Sequence, residues 1–123
     1  MFLLKYQLFF FQNHHLVDQV LPLIKDPNQQ VKLAAFDYLI AHAPENRIEL
    51  LSRYLKDEDY KVRGAALVSL AIETRNNQDL KEKFDIENIL AEKIHHLEGL
   101  TNQEEVKFRK IIILRSIAQA NLS

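Results

Sequence analysis

Apolar residues recur along most of the chain at the three- and four-residue spacing of an amphipathic helix. The clearest stripes start at Val17, Val31, Ile48 and Ile86. Short polar turns with proline, asparagine or aspartate separate them. The pattern therefore predicts an all-α protein. The predicted helices cover about residues 2–13, 16–25, 29–43, 44–55, 60–75, 85–98 and 103–120.

Prolines, glycine and one polar cluster refine these boundaries. Pro22 predicts a kink inside its helix, because the ring removes an amide donor and clashes with the preceding turn. Pro44 is predicted to start the helix over 44–55, because the first residue of a helix does not need its amide donor. The run Asn76-Asn77-Gln78-Asp79 predicts a loop. Gly99 is expected to cap the carboxyl end of the helix over 85–98.

Two neighbouring segments match each other at a shift of 31 residues, and the match runs without a gap through two helices and the acidic turn between them. The aligned pairs are Asp26 with Asp57, Val31 with Val62, Lys32 with Arg63, Ala35 with Ala66 and Leu39 with Leu70. A chance pair of helices would share the apolar rhythm, but hardly the acidic turn and the basic residue as well. The chain therefore contains a repeat of two helices, and repeats of this kind stack on their neighbours to complete a core.

Each feature that the two copies share has a physical interpretation. The alanine pairs, and Gly64 beside one of them, allow helices to approach closely. Asp26 and Asp57 are expected to accept hydrogen bonds from free amides at the start of the following helix. Lys32 and Arg63 are expected to reach the aspartate of a neighbouring turn.

A third, degenerate unit is predicted over residues 84–121. At a shift of 44 residues, Val106 and Leu114 take the places of Val62 and Leu70. In that alignment Arg109 and its neighbour replace the small alanine pair, so the close contact of the first two units cannot recur there. The register of the last helix therefore stays open.

The segments Asp26-Pro27-Asn28-Gln29-Gln30-Val31-Lys32-Leu33-Ala34-Ala35 and Asp57-Glu58-Asp59-Tyr60-Lys61-Val62-Arg63-Gly64-Ala65-Ala66 resemble HEAT repeats. The resemblance implies an α-solenoid of about three helical hairpins. The expected organisation is a leading helix over 1–15, repeats over 16–43 and 44–76, and the degenerate repeat over 84–121.

Composition excludes several function classes. The chain has 123 residues, enough for one domain, and no cysteine, which rules out disulfides and thiolate chemistry. Its 16 basic and 17 acidic residues give a net charge of −1, so no nucleic-acid partner is expected. The apolar start is too short to cross a membrane, and a cytoplasmic protein is expected.

No catalytic or cofactor motif accompanies the repeat. Two glycines cannot build a phosphate-binding loop, and the serines lack a G-x-S-x-G context. The iron-binding deoxyhypusine hydroxylases, which resemble this chain in architecture, use His-Glu dipeptides that are absent here. Glu92 and His95 alone have metal-ligand spacing. No metal, cofactor or enzymatic activity is predicted, and His42 is expected to be partly buried near a helix end.

The function expected from these features is a non-catalytic scaffold that binds another protein. The residues expected to face the partner are Lys32, Lys61, Arg63 and Lys107. Self-association or contact with missing flanking repeats is expected through Phe9, Phe10 and Phe11. Two alternatives remain open: a HEAT segment of a larger polypeptide, such as a nucleotide-translocase-like membrane transporter, and a HEAT-type lyase or hydroxylase subunit.

Overall fold

The computed structural model describes residues 16–120. All regular secondary structure within that range is helical, which confirms the predicted all-α class. The predicted leading helix, with Phe9, Phe10 and Phe11, lies outside the described residues.

The described part of the chain contains six α-helices with both ends defined. They are α1 (Gln29–His42), α2 (Arg47–Tyr54), α3 (Tyr60–Thr74), α4 (Gln78–Lys83), α5 (Ile86–His95) and α6 (Gln103–Ala120). Residues 16–20 are also α-helical. Three 3₁₀ helices complete the elements: Leu21–Lys25, Pro44–Asn46 and His96–Gly99.

The predicted kink at Pro22 takes the form of a change in helix type. The chain is α-helical over residues 16–20 and becomes a 3₁₀ helix over Leu21–Lys25, with Pro22 in its first turn. Proline cannot donate to the carbonyl one α-turn earlier, so the tighter helix begins where that hydrogen bond is lost.

The loop predicted over residues 76–79 is confirmed for residues 76–77 and wrong for residues 78–79, where α4 begins. The Asn77 side chain accepts a hydrogen bond from the amide of Leu80, at 3.2 Å, and so caps this six-residue helix. Leu80 is its one buried residue. Asparagine favours both turns and helix N-caps, and a helix of one and a half turns is too short to show a repeating apolar pattern.

The end of α5 also differs from expectation. The α-helix stops at His95 and continues as the 3₁₀ helix His96–Gly99, after which Leu100 is extended. Gly99 does not adopt the left-handed backbone conformation that a glycine cap uses. The predicted capping role of Gly99 is therefore wrong.

The two acidic turns are closed by the same hydrogen bond. Asp26 Oδ1 accepts from the amide of Asn28 at 2.8 Å, and Asp57 Oδ1 accepts from the amide of Asp59 at 2.9 Å. Each aspartate thus binds the amide two residues further along, in an Asx turn. We call this pair of hydrogen bonds the aspartate clasps.

The helix caps are consequently supplied two residues later than predicted. Asn28 Oδ1 accepts from the amide of Val31 at 3.1 Å at the start of α1, and Asp59 Oδ1 accepts from the amide of Lys61 at 2.8 Å at the start of α3. The clasps hold the cap residues in place, and the caps satisfy free amides of the helices.

The chain divides into two compact units, Met1–Leu50 and Leu51–Ser123. In the first unit, α1 packs against the 3₁₀ helices Leu21–Lys25 and Pro44–Asn46. Arg47 Nε donates a hydrogen bond to the carbonyl of Ile40, at 2.9 Å. Over residues 16–50, the buried apolar residues are Val17, Ala35, Phe36, Leu39, Ile40, Ala43 and Leu50.

In the second unit, the most extensive contact joins α3 and α6, and α5 packs on α6 while α4 packs on α3. Leu67, Leu90, Ile112 and Ile113 form a buried cluster at the junction of α3, α5 and α6. The two buried polar side chains are satisfied within their own helices: Thr74 donates to the carbonyl of Ala71 and Ser116 to that of Ile112.

Burial repeats along the chain with the 31-residue shift. The pairs in which both members are buried are Ala35 and Ala66, Phe36 and Leu67, Leu39 and Leu70, Ile40 and Ala71, and Ala43 and Thr74. Val62 is buried, whereas Val31 is half-buried. Ile48 and Leu51 were both predicted to face the core; Leu51 is fully buried, whereas Ile48 is 38% exposed. Leu50 is buried as well.

The structure settles the register of α6, which the 44-residue shift left open. Leu114 is 66% exposed, whereas Leu70, its predicted counterpart, is fully buried. The buried residues of α6 are Ile112, Ile113 and Ser116. A shift of 46 residues places them on Ala66, Leu67 and Leu70, all buried in α3.

Gly64 sets the distance between α3 and α6. A Cβ atom added to Gly64 would lie 2.8 Å from Phe108 Cε1 and 3.3 Å from Ile112 Cγ1. The first distance is shorter than side-chain packing allows, so any larger residue would push the aromatic ring aside. The close approach expected of Gly64 is therefore made with Phe108.

We expect Gly64→Ala to lower the free energy of unfolding by about 1 kcal/mol, because the cost of overpacking exceeds alanine's better helix propensity. Gly99→Ala is the matched control. No atom lies within 4 Å of its added Cβ, so its effect should stay within about 0.5 kcal/mol. Urea denaturation followed by circular dichroism measures both.

If the Phe108 ring causes the loss of stability in Gly64→Ala, removing the ring should abolish that loss. In a Phe108→Leu background the ring is gone, and Gly64→Ala should then become neutral or stabilising. A loss of stability that is equal in both backgrounds would show that Phe108 is not the group that the alanine meets.

Candidate functional site

A pocket lies where α3, α5 and α6 meet in the second unit. We call it the cationic pocket; its lining residues are Tyr60, Arg63, Gly64, Leu67, Lys93, Phe108, Arg109, Ile112 and Ile113. Its water-accessible volume is about 30 Å³, room for about two water molecules. Three of the lining residues are basic and none is acidic.

Arg63 is held by the turn that precedes its own helix. Its Nη1 atom donates hydrogen bonds to the carbonyl oxygens of Asp57, at 2.6 Å, and Glu58, at 2.9 Å. These bonds replace the predicted contact with the aspartate of a neighbouring turn, because the guanidinium reaches the main chain of its own turn first. Arg63 is thereby fixed at the amino end of α3.

Arg109 combines one paired and one unpaired nitrogen. Its Nη2 atom forms an ion pair with Glu105 Oε1 one turn earlier in α6, at 2.9 Å. Its Nε atom is buried and, among the described residues, has no hydrogen-bond partner. A buried donor without a partner is rare in folded proteins, and leaving it unpaired is unfavourable.

Lys93 contributes the third charge from α5. Partial burial is the main cause that lowers the pKa of Lys93, and the positive charges of Arg63 and Arg109 lower it further, whereas Glu92 acts in the opposite direction. No carboxylate of residues 16–120 lies within ion-pair distance of the Lys93 amine. Burial and the two guanidinium groups thus act on this pKa in the same direction.

The rest of the pocket is apolar and aromatic. The rings of Tyr60 and Phe108 meet edge to face, with their centroids 5.4 Å apart. Leu67, Ile112 and Ile113 are buried residues of the core that also line the pocket. The site therefore offers positive charge beside an apolar surface, a combination that suits an anionic group with an apolar neighbour.

The residues predicted to bind a partner do not all converge. Arg63 lines the cationic pocket, whereas Lys61 and Lys107 are exposed and do not line it. Lys32 belongs to the first unit and is half-buried.

The sequence interpretation missed Lys93 and assigned Arg109 no role in a site. Both residues lie at helical spacing from buried apolar positions: Lys93 follows Leu90 by three residues, and Arg109 precedes Ile112 by three. A basic residue on the apolar stripe of a helix was the available signal.

The histidines do not form a metal site in the described part of the chain. His42 is exposed, not partly buried as predicted, and its ring lies 4.6 Å from that of Tyr38 one turn earlier. His95 and His96 are exposed. Among residues 16–120, no group of three or more histidine or acidic side chains is placed to hold a metal ion.

We expect Lys93→Met to raise the free energy of unfolding by about 0.5–1 kcal/mol at neutral pH, because it removes a partly desolvated cation that faces two others. The exposed Lys110→Met is the control and should change stability by less than about 0.5 kcal/mol. Thermal denaturation of the three proteins measures the difference.

The pH dependence gives this prediction a second test. The folded pKa of Lys93 lies below its unfolded value of 10.5, so between the two values the unfolded chain binds more protons. The destabilisation by Lys93 is therefore full at lower pH and is relieved as the pH rises to 10.5. The advantage of Lys93→Met should shrink across that window, and a constant advantage would contradict the electrostatic cause.

In the described part of the chain, every helix falls short of the length and apolarity that crossing a membrane requires. No protein-family model, no curated protein and no solved structure matches the chain.

Proposed function

We propose that the protein is a non-catalytic docking module, an α-solenoid of HEAT-like helical hairpins that binds another protein. The observation that carries this proposal is the repetition of the aspartate clasps. Asp26 with Asn28, and Asp57 with Asp59, form the same hydrogen bond 31 residues apart, each directly before a long helix. The same turn in the same place supports two copies of one structural unit.

Repeats of this kind favour a binding function over a catalytic one. Stacked hairpins produce an extended surface whose residues come from successive units at regular spacing. Such a surface suits a partner that runs along the array. The two copies share buried positions, among them Ala35 with Ala66 and Leu39 with Leu70, so these residues are not available to a partner. The residues left to meet a partner are the polar ones on the exposed sides.

The partner surface that we propose includes the basic residues near the starts of α3 and α6. Lys61 is the second residue of α3 and Lys107 the fifth of α6, and both are exposed. Neither side chain takes part in a hydrogen bond or ion pair among the described residues, so both amines are free to meet acidic groups. A partner with acidic patches would be attracted and oriented by them.

We expect the double variant Lys61→Glu with Lys107→Glu to lose most of its partner while it remains folded, because both side chains are exposed and carry no structural bond. The measurement is affinity capture from an extract of the native cells with quantitative mass spectrometry. Binding is then measured between the purified chain and the protein that the unmodified chain enriches, where we expect an affinity at least tenfold lower.

The matched control is Lys81→Glu with Lys83→Glu, which changes the net charge equally on exposed residues of α4. This control should capture the same partner as the unmodified chain. The proposal is overturned if the unmodified chain enriches no protein, or if both double variants bind the purified partner equally well.

A further inference from the structure

The positive charge of the cationic pocket is only partly balanced by residues 16–120. Arg63, Lys93 and Arg109 all line it, and Glu105 pairs with Arg109 alone. Three cations that repel one another beside buried apolar side chains are an unfavourable arrangement unless an anion joins them. The pocket is thus complementary to a negatively charged group.

The available hydrogen-bond donors also favour an anionic occupant. Among residues 16–120 the Lys93 amine has no carboxylate beside it, and Arg109 uses its Nη2 atom for the ion pair with Glu105. Arg63 uses only its Nη1 atom to hold the turn. A carboxylate could accept hydrogen bonds from more than one of these donors, and charge-assisted bonds of that kind are the strong ones.

Size and composition restrict the occupant further. A water-accessible volume of about 30 Å³ admits the end of one side chain, not a whole cofactor. Tyr60 and Phe108 present an aromatic pair beside the cations. An occupant that binds both the cations and the aromatic pair carries a carboxylate with an apolar group directly beside it. A peptide offers these two groups on adjacent residues.

We propose that the cationic pocket is a docking site for an acidic segment of a partner protein, in which one aspartate or glutamate enters among Arg63, Lys93 and Arg109 and a neighbouring apolar side chain packs on Phe108 and Tyr60. This inference rests on the proposed docking function and specifies the chemistry that the partner presents. It also differs in place, because Lys61 and Lys107 lie outside the pocket.

Selection from a random octapeptide display library against the full chain tests the inference. We expect enrichment of peptides in which an acidic residue stands next to leucine, isoleucine or an aromatic residue. The best enriched peptide is then synthesised with a fluorescent label, and its affinity is measured by anisotropy. Replacing its acidic residue by the corresponding amide should weaken binding at least tenfold.

The decisive variant is Lys93→Glu, which places a carboxylate between the two arginines and so supplies an internal competitor. It should weaken binding of the labelled peptide at least tenfold, whereas Lys110→Glu, an equal change on an exposed residue of α6, should stay within twofold. If Lys93→Glu lowers the melting temperature, Lys93→Gln replaces it and should weaken binding about threefold or more.

Each other outcome overturns the inference. Selection without an acidic and apolar pair, or binding that Lys93→Glu leaves unchanged, removes the pocket as the peptide site. Complete displacement of the labelled peptide by 10 mM inorganic phosphate, with no effect of the peptide's apolar residue, assigns the pocket to small anions instead. If these tests fail while Lys61→Glu with Lys107→Glu still abolishes capture, the docking function stands and the pocket proposal alone is lost.

Discussion

The second unit depends on the contact between Gly64 of α3 and Phe108 of α6. Because the glycine has no side chain, the aromatic ring lies against the backbone of the facing helix, at a distance that even a methyl group would violate. This contact lies within the most extensive helix pair of the unit. The buried cluster of Leu67, Leu90, Ile112 and Ile113 forms around the same junction, where α5 completes it. Hydrophobic burial provides the driving force, and the glycine determines how closely the two helices approach.

The same close approach brings the basic residues together. Arg63 is adjacent to Gly64, and Arg109 is adjacent to Phe108, so the pair of small and large residues that joins the helices also places two guanidinium groups at one pocket. Lys93 joins them from α5. Opposing interactions hold this arrangement: the carbonyl oxygens of Asp57 and Glu58 bind Arg63 and Glu105 binds Arg109, whereas repulsion among the three cations disfavours their proximity. Helix packing and these hydrogen bonds therefore keep the three cations close together in spite of their mutual repulsion.

The fold class and the long helices followed from the sequence, because α1, α3 and α6 carry several turns of apolar spacing and their predicted limits agree with the structure within one residue. Short-range features were less predictable. Asp26 and Asp57 were predicted to cap the following helices because they directly precede them. In the structure the residues two positions later, Asn28 and Asp59, are the caps, and no sequence pattern distinguishes these two positions. The pocket was not predictable beyond Arg63. Its other cations, Lys93 and Arg109, come from α5 and α6. Their position on the apolar stripe of each helix was visible in the sequence, but no local pattern indicates which helices pack together. The exposed Leu114 shows the same limit, since only the packing of α6 reveals its register.

The aspartate clasps carry a consequence for how the chain tolerates changes in length. In each turn, a side chain must reach the amide two residues further on, and that second residue must in turn reach the first amides of a helix. An inserted or deleted residue between them would separate the two bonds, so we expect the acidic turns to keep their length among related chains. The connection before α6 is different: among the described residues it shows a cap from Asn102 to the amide of Glu105 without a clasp ahead of it. Insertions and deletions should therefore be tolerated at residues 99–101, where no side chain has to bridge two successive hydrogen bonds.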